Sequence, residues 1–416
     1  MYISYNKNLI VNVISDTPIE IDQKIKNISD QPITVGKRMP SSVISKEDYT
    51  KKQIKELRVA FVCNWGDNCG ISTYSQYLIT EMIPQVKELK IFSEINDGVT
   101  EGYNVEKCWE RGKCLLPLVK KIKEFGPDFV IIQHEFGIFP NSFYFSQLCQ
   151  HLDDIPYVVQ THSVYQHLDK LCYTECIKNI VVHTTNQKNV YKELGNTSNI
   201  FVVPHGCISY ADTSELWNIN LNPYTIILSG FPNKYKGLPR ALEAISILKK
   251  NNQKFKNIFF TYLMSDTGRN PNGDQSYYDE LMSLVVKLDI EENVCIIRKY
   301  QSEENLCLFL RLNKLAIFPY INNPDNTVFS ASGAIRVAIG NKIPIIASES
   351  HLFDDLEAIC PRPSTSKDLA DEIDKIFSDE KYKNEIVNRS SKFAEENNWS
   401  SCATKYLEIY NKLVPG

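Results

Sequence analysis

Two lysines in one glycine-containing loop are the first residues of this chain that suggest a chemistry. Lys234 and Lys236 stand within Leu228-Ser-Gly-Phe-Pro-Asn-Lys-Tyr-Lys-Gly-Leu238. The apolar run Thr225-Ile-Ile-Leu228 reads as a strand, and Ala241, Leu242, Ala244, Ile245 and Leu248 recur at helical spacing. Strand, turn and helix start bring backbone N–H groups and a helix dipole beside the cations, which suits a phosphate or diphosphate. An echo lies earlier: Leu57-Arg-Val-Ala-Phe-Val-Cys63 runs into Asn64-Trp-Gly-Asp-Asn-Cys-Gly70 and a helical pattern from Ile71.

These loops need elements to hold them. Strand patterns fall at Arg58–Cys63, Lys90–Phe92, Phe129–Gln133, Tyr157–Gln160, Asn179–His183 and Ile200–Val203, with helical patterns at Thr73–Ile83, Cys114–Phe125 and Gln187–Leu194. The polar stretch 208–223 interrupts the pattern, and the second half repeats it. Its strands are Tyr224–Leu228, Ile258–Leu263, Val294–Arg298, Leu315–Phe318 and Ile343–Ala347. Its helices are Pro239–Lys250, Ser276–Leu288, Glu303–Arg311, Gly333–Ile339 and Lys367–Ser378. Two amphipathic helices, broken near Asn397–Ser400, end the chain. Alternation of this kind predicts an α/β fold of two Rossmann-like domains with parallel sheets. The expected organisation is an N-terminal extension over 1–56, a first domain over 57–215, a second over 216–396, and a C-terminal helix over 397–416 that returns toward the first domain. Short strands Ile10–Ile14 and Ile33–Val35 are expected in the extension.

Composition excludes several classes. Of 416 residues 43% are hydrophobic and 23% charged, as in an ordinary globular protein. A net charge of −4 supplies no general basic field for nucleic acid or anionic lipid. The twelve cysteines are scattered without a Cys-x-x-Cys, so reduced thiols are expected and the Cys172/Cys176 pair does not argue for zinc. No Asp-x-Asp stands at a strand end. Asp153-Asp154 and Asp354-Asp355 read as solvated pairs, and no metal site is expected. No run approaches the ~20 apolar residues of a spanning helix, and the N-terminus lacks a signal-peptide core. A cytoplasmic protein is expected, with peripheral membrane contact compatible.

In open α/β sheets ligands bind at the carboxyl ends of strands. Here those loops carry Gly70-Ile-Ser-Thr-Tyr-Ser, Gln133-His-Glu-Phe-Gly, Val159-Gln-Thr-His-Ser163, Val203-Pro-His-Gly206, Gly230–Gly237, Phe318-Pro-Tyr320, Ser330-Ala-Ser-Gly-Ala-Ile335 and Ile343-Pro-Ile-Ile-Ala347. In order and spacing, from about Leu57 to the C-terminus, they resemble the group 1 (family 4) retaining glycosyltransferases of GT-B fold. The resemblance implies transfer of a sugar from a UDP- or GDP-sugar held mainly by the second domain to a glycan, lipid-linked or small-molecule acceptor held by the first, with no bound cofactor or metal.

The resemblance also implies roles. Lys236 matches the lysine that meets the donor diphosphate, with Lys234 assisting, and Gly70 lets its loop approach the donor. His162 matches the histidine that reaches the donor sugar. Ile71, His205, Gly206, Ser330, Ser332, Gly333 and Ala334 fall on the donor side. His134 and Asp325 are acceptor candidates, and Glu135 could orient an acceptor hydroxyl. The chain departs from the pattern in two places. Phe231 stands where an arginine is common, and Phe329 and Val337 stand where two glutamates normally hold the donor sugar and the ribose. Donor sugar and nucleotide therefore stay open, as does oligomeric state. A nucleic-acid-modifying transferase, not favoured by the charge, and an inactive nucleotide- or sugar-binding module are the alternatives.

Overall fold

Apolar strands that can be covered on both faces set the architecture. In the computed structural model Arg58–Cys63 (β1), Glu88–Glu94 (β2), Val105–Trp109 (β3), Phe129–His134 (β4), Tyr157–Thr161 (β5), Asn179–Val182 (β7) and Asn199–Val202 (β8) form one sheet in the order β3-β2-β1-β4-β5-β7-β8. Every pairing in it is parallel. All six residues of β4 are buried, as the apolar run Phe129-Val-Ile-Ile demands of a central strand. A second sheet has the order β11-β10-β9-β12-β14, again parallel. Its strands are Thr225–Gly230 (β9), Phe259–Met264 (β10), Val294–Arg298 (β11), Leu315–Phe318 (β12) and Ile345–Ala347 (β14). The residues described are 51–67, 69–172, 177–208, 222–265, 271–323 and 327–414, and they fall in one compact unit. The expected strands Ile10–Ile14 and Ile33–Val35, together with Asp325 and Cys176, lie outside them.

Helices cover both sheets. In the first lobe they are Gly70–Met82 (α1), Leu116–Phe125 (α2), Ser142–His151 (α3), Gln166–Cys172 (α4) and Thr185–Glu193 (α5). In the second they are Leu238–Asn251 (α6), Pro271–Leu288 (α7), Glu303–Leu312 (α8), Gly333–Gly340 (α9), Ser366–Ser378 (α10) and Glu380–Glu396 (α11). The last helix, Trp399–Leu413 (α12), starts on an Asn398 cap that accepts from the Ser401 N–H at 2.8 Å. Its face Trp399, Cys402, Ala403, Tyr406, Leu407 and Tyr410 belongs to the buried cluster of the first sheet, beside α1. Each large apolar side chain buried there contributes about 1.5–3 kcal/mol.

The sequence patterns place most of these elements to within a few residues. They miss β3, whose Glu106 and Lys107 break the apolar run, and α3, where Ser142-Phe-Tyr-Phe mixes turn and strand formers. They also miss a third sheet. Ser163–Tyr165 (β6), from the first lobe, pairs antiparallel with Val328–Ser330 (β13), from the second. Both had read as ligand loops.

Candidate functional site

The carboxyl ends of both sheets border a cleft of about 800 Å3, which is the size of a small-molecule site. From the first lobe it is lined by Gly70, Ile71, Glu135, His162, His205 and Gly206. From the second it is lined by Gly230, Lys236, Ser330, Ser332, Gly333 and Ala334. With Asp325 set aside, eleven of the thirteen expected site residues thus meet there, while Lys234 and His134 do not.

Lys236 ends a single 3-10 turn, Lys234–Lys236, and folds back under β9. It is 5% exposed. Its Nζ donates to the Tyr320 hydroxyl at 2.6 Å, and that hydroxyl also meets Ser332. No carboxylate pairs with Lys236 among the described residues. Burial draws its pKa below the ordinary lysine value. The seat requires glycine at 230: φ there is +132°, and a Cβ would fall 2.6 Å from Nζ. Lys234 is placed elsewhere. Its ammonium is in solvent and pairs with Glu280 at 2.9 Å. That placement contradicts its expected help on the diphosphate.

The wall opposite sets histidines among aromatic rings, with Arg111 and Glu135 as its charged side chains. His162 puts Nε2 2.8 Å from the Gln133 side chain and Nδ1 3.3 Å from Nε2 of His183. His183 Nδ1 lies 3.2 Å from the Val203 carbonyl, so Nδ1 carries the proton and Nε2 accepts. That nitrogen also lies 3.4 Å from the Gln160 Nε2 donor, and the Gln133 Oε1 facing His162 Nε2 accepts from that ring. Burial holds His162 and His205 well below the usual histidine range and His183 at about 4. Both ring nitrogens of His162 have protein partners, and the ring lines the cleft. Gly70 opens α1 on the cleft lining, with no protein atom within 4 Å of its Cβ direction.

Glu135 accepts from the Phe136 N–H at 3.2 Å and from the hydroxyls of Ser163 and Tyr165. Desolvation raises its pKa. Its neighbour His134 is 1% exposed and packed against Phe136, Phe139 and Phe145, with its pKa lowered to about 3. Successive residues of a strand face opposite sides, so only one of the pair can reach the cleft. The expected acceptor contact of His134 is therefore absent. Ser332 caps α9 without a side-chain cap bond, leaving first-turn N–H groups of that helix directed at the cleft.

Three features were not anticipated. Arg336, one turn into α9, is 1% exposed and binds both oxygens of Asp355 through Nη2, at 2.8 and 2.6 Å. Its Nε and Nη1 are buried without a hydrogen-bond partner. The signal was a charged residue inside the apolar run Gly333-Ala-Ile-Arg-Val-Ala-Ile-Gly340. Asp355 is thus no solvated carboxylate, and Asp354 accepts from Asn186 at 2.5 Å. Trp399 packs on Gly206, where a Cβ would lie 2.3 Å from the indole. Tyr77 donates to Glu303 across the lobes at the cleft rim.

No protein-family profile matches the chain, and no curated protein is similar to it in sequence. Solved structures are similar to it in fold. Anabaena HepE, in complex with UDP and glucose, superposes with a TM-score of 0.67 at 13% identity, covering 86% of this chain and 100% of that one. A glycosyltransferase from Rickettsia africae gives 0.67 at 16%, covering 87% and 99%. The trehalose-6-phosphate synthase OtsA gives 0.66 at 10%, covering 86% and 100%. At such identity the likeness carries the fold alone. Two parallel α/β sheets bordering one cleft define it as GT-B.

Among the described residues no helix is long and apolar enough to cross a membrane, and no group of three or more His, Cys, Asp or Glu could hold a metal.

Proposed function

We propose that the protein is a nucleotide-sugar-dependent glycosyltransferase that transfers a hexosyl group with retention, from a UDP- or GDP-sugar to a glycan, lipid-linked or small-molecule hydroxyl. The observation that carries this is Lys236: a buried ammonium on the cleft wall, held by a phenol and facing no described carboxylate, across from the uncapped start of α9. Both are suited to a diphosphate.

In the proposed step the bond from the anomeric carbon to the diphosphate oxygen breaks, and its electron pair leaves with the nucleoside diphosphate. Lys236 and the α9 N–H groups stabilise that developing charge. The acceptor oxygen bonds the anomeric carbon on the face being vacated, and its proton passes to a departing phosphate oxygen. Glu135 orients the acceptor hydroxyl. The neutral His162 and His205 rings wall the sugar and exclude water. HepE and OtsA, with which the fold is shared, support a nucleotide-sugar reading, since HepE was captured with UDP and glucose.

The test is a panel of UDP- and GDP-sugars read by binding calorimetry and donor hydrolysis, with Lys236→Ala alongside. Binding and turnover of one donor, both lost in the variant, are expected. Binding without hydrolysis or transfer, under a broad acceptor panel, would favour the binding-module alternative that Phe329 and Val337 raise. No binding of any donor or nucleotide would overturn the reading.

A further inference from the structure

The third sheet is made by the two lobes jointly. Val328 pairs with Tyr165, Phe329 with Val164 and Ser330 with Ser163. Side chains reinforce this ladder. Ser330 Oγ donates to the His162 carbonyl at 2.7 Å, and Gln187 Nε2 to the Phe329 carbonyl at 3.0 Å. Phe329 is 7% exposed. Although it belongs to the chain of the second lobe, it lies in the buried apolar cluster of the first, with Val164, Ile138 and Phe145. On its other side it meets the ring of His351, 4.4 Å away.

This placement gives meaning to a departure seen in the sequence. A carboxylate at 329, which the resembling family normally carries, would be desolvated inside an apolar cluster at large cost. A phenylalanine is stable there and draws its strand across. We propose that Phe329 is a positioning residue: it anchors strand β13 in the first lobe, so that the β6–β13 strap fixes the separation of the two cleft walls. The strap is continuous with both walls. His162 immediately precedes β6, and Ser332 with the start of α9 follows β13 by one residue. Lobes tied in this way do not part by a free hinge. The inference goes beyond the proposed function and is independent of it.

The test needs no ligand. Hydrogen exchange of the full-length protein is read at amides 163–165 and 328–330, and small-angle scattering is measured on wild type, Phe329→Ala and the conservative Phe329→Leu. Expected are protected strap amides in wild type, and in Phe329→Ala a loss of that protection with an upward shift in radius of gyration. Far-ultraviolet circular dichroism should not change, and Phe329→Leu should restore both readouts. A merely structural loss would lower the melting temperature without separating the lobes. Fast exchange of the strap in wild type, or a folded Phe329→Ala with unchanged scattering and strap protection, would overturn the proposal. If Phe329→Ala does not fold, the wild-type exchange decides it: protected strap amides uphold the proposal and fast exchange overturns it.

Discussion

The ammonium nitrogen of Lys236 lies 2.6 Å from the Tyr320 hydroxyl and 4.5 Å from the centre of the same ring. The lysine is held at the hydroxyl edge of a phenol, an arrangement that positions a cation without neutralising it. An anionic ligand would complete its environment. Lys236→Ala should therefore weaken nucleotide binding by about 10- to 100-fold, the worth of a charge-assisted hydrogen bond. Lys234→Ala, which removes only an exposed pair with Glu280, should leave binding nearly unchanged. Calorimetric titration of both variants with UDP and GDP checks the contrast. Equal losses would mean that position in the fold does not separate the two lysines.

Burial also makes Lys236 a proton-linked group. Its folded pKa lies below the ordinary 10.5, so between the two values the unfolded chain holds more protons and stability rises with pH. A bound diphosphate favours the charged lysine. Nucleotide binding at a pH between the folded value and 10.5 should then take up a proton, and its observed heat should vary with the ionisation heat of the buffer. In Lys236→Met that variation should vanish.

The histidines predict an acid limb. His183 falls from 6.5 to about 4 and His134 to about 3, both by desolvation. As pH drops below 6.5 the unfolded chain is protonated first, and stability falls by about 1.4 kcal/mol per unit for each such group. Asp169, raised to about 7 by burial, acts in the opposite sense over the same range, so the comparison is between variants. The melting temperature of His183→Gln should decline less steeply than wild type between pH 6.5 and 4. Parallel declines would refute the neutral assignment.

Gly206→Ala places a methyl group 2.3 Å from the Trp399 indole. Overpacking of this kind costs about 1–3 kcal/mol. Denaturant unfolding of Gly206→Ala, Trp399→Ala and the double variant should show strong coupling, because truncating the indole makes room for the methyl group.

Asp355→Asn leaves the Arg336 charge buried without its counter-ion. A loss of about 3–5 kcal/mol is expected. The paired replacement Arg336→Met with Asp355→Leu should recover much of it, since an apolar pair carries no desolvation cost. Failure of the double variant to recover would point to a requirement for the guanidinium itself.

Much of the fold was legible because it is local. Strands covered on both faces must be apolar throughout, and Phe129–Ile132 and Thr225–Leu228 announce themselves in that way. Helices such as α6 and α10 show their buried stripe directly. Edge strand β3 stayed hidden because its half-exposed residues include charged ones. The strap stayed hidden for another reason. Its two strands have three residues each, too few for a period, and they exist only because they pair.

The site divides along the same line. Order and spacing of motifs along the chain sufficed to bring Lys236, Glu135, Ser332 and Gly333 to one cleft, because parallel α/β sheets put every strand-to-helix loop on one edge. Which of two neighbours faces that cleft was decided by tertiary structure: Lys236 rather than Lys234, Glu135 rather than His134. So were the neutral state of His162, the burial of Arg336 against Asp355 and the insertion of Phe329 into the other lobe. Each depends on partners distant in sequence, and on a desolvation that exists only once those partners have excluded water.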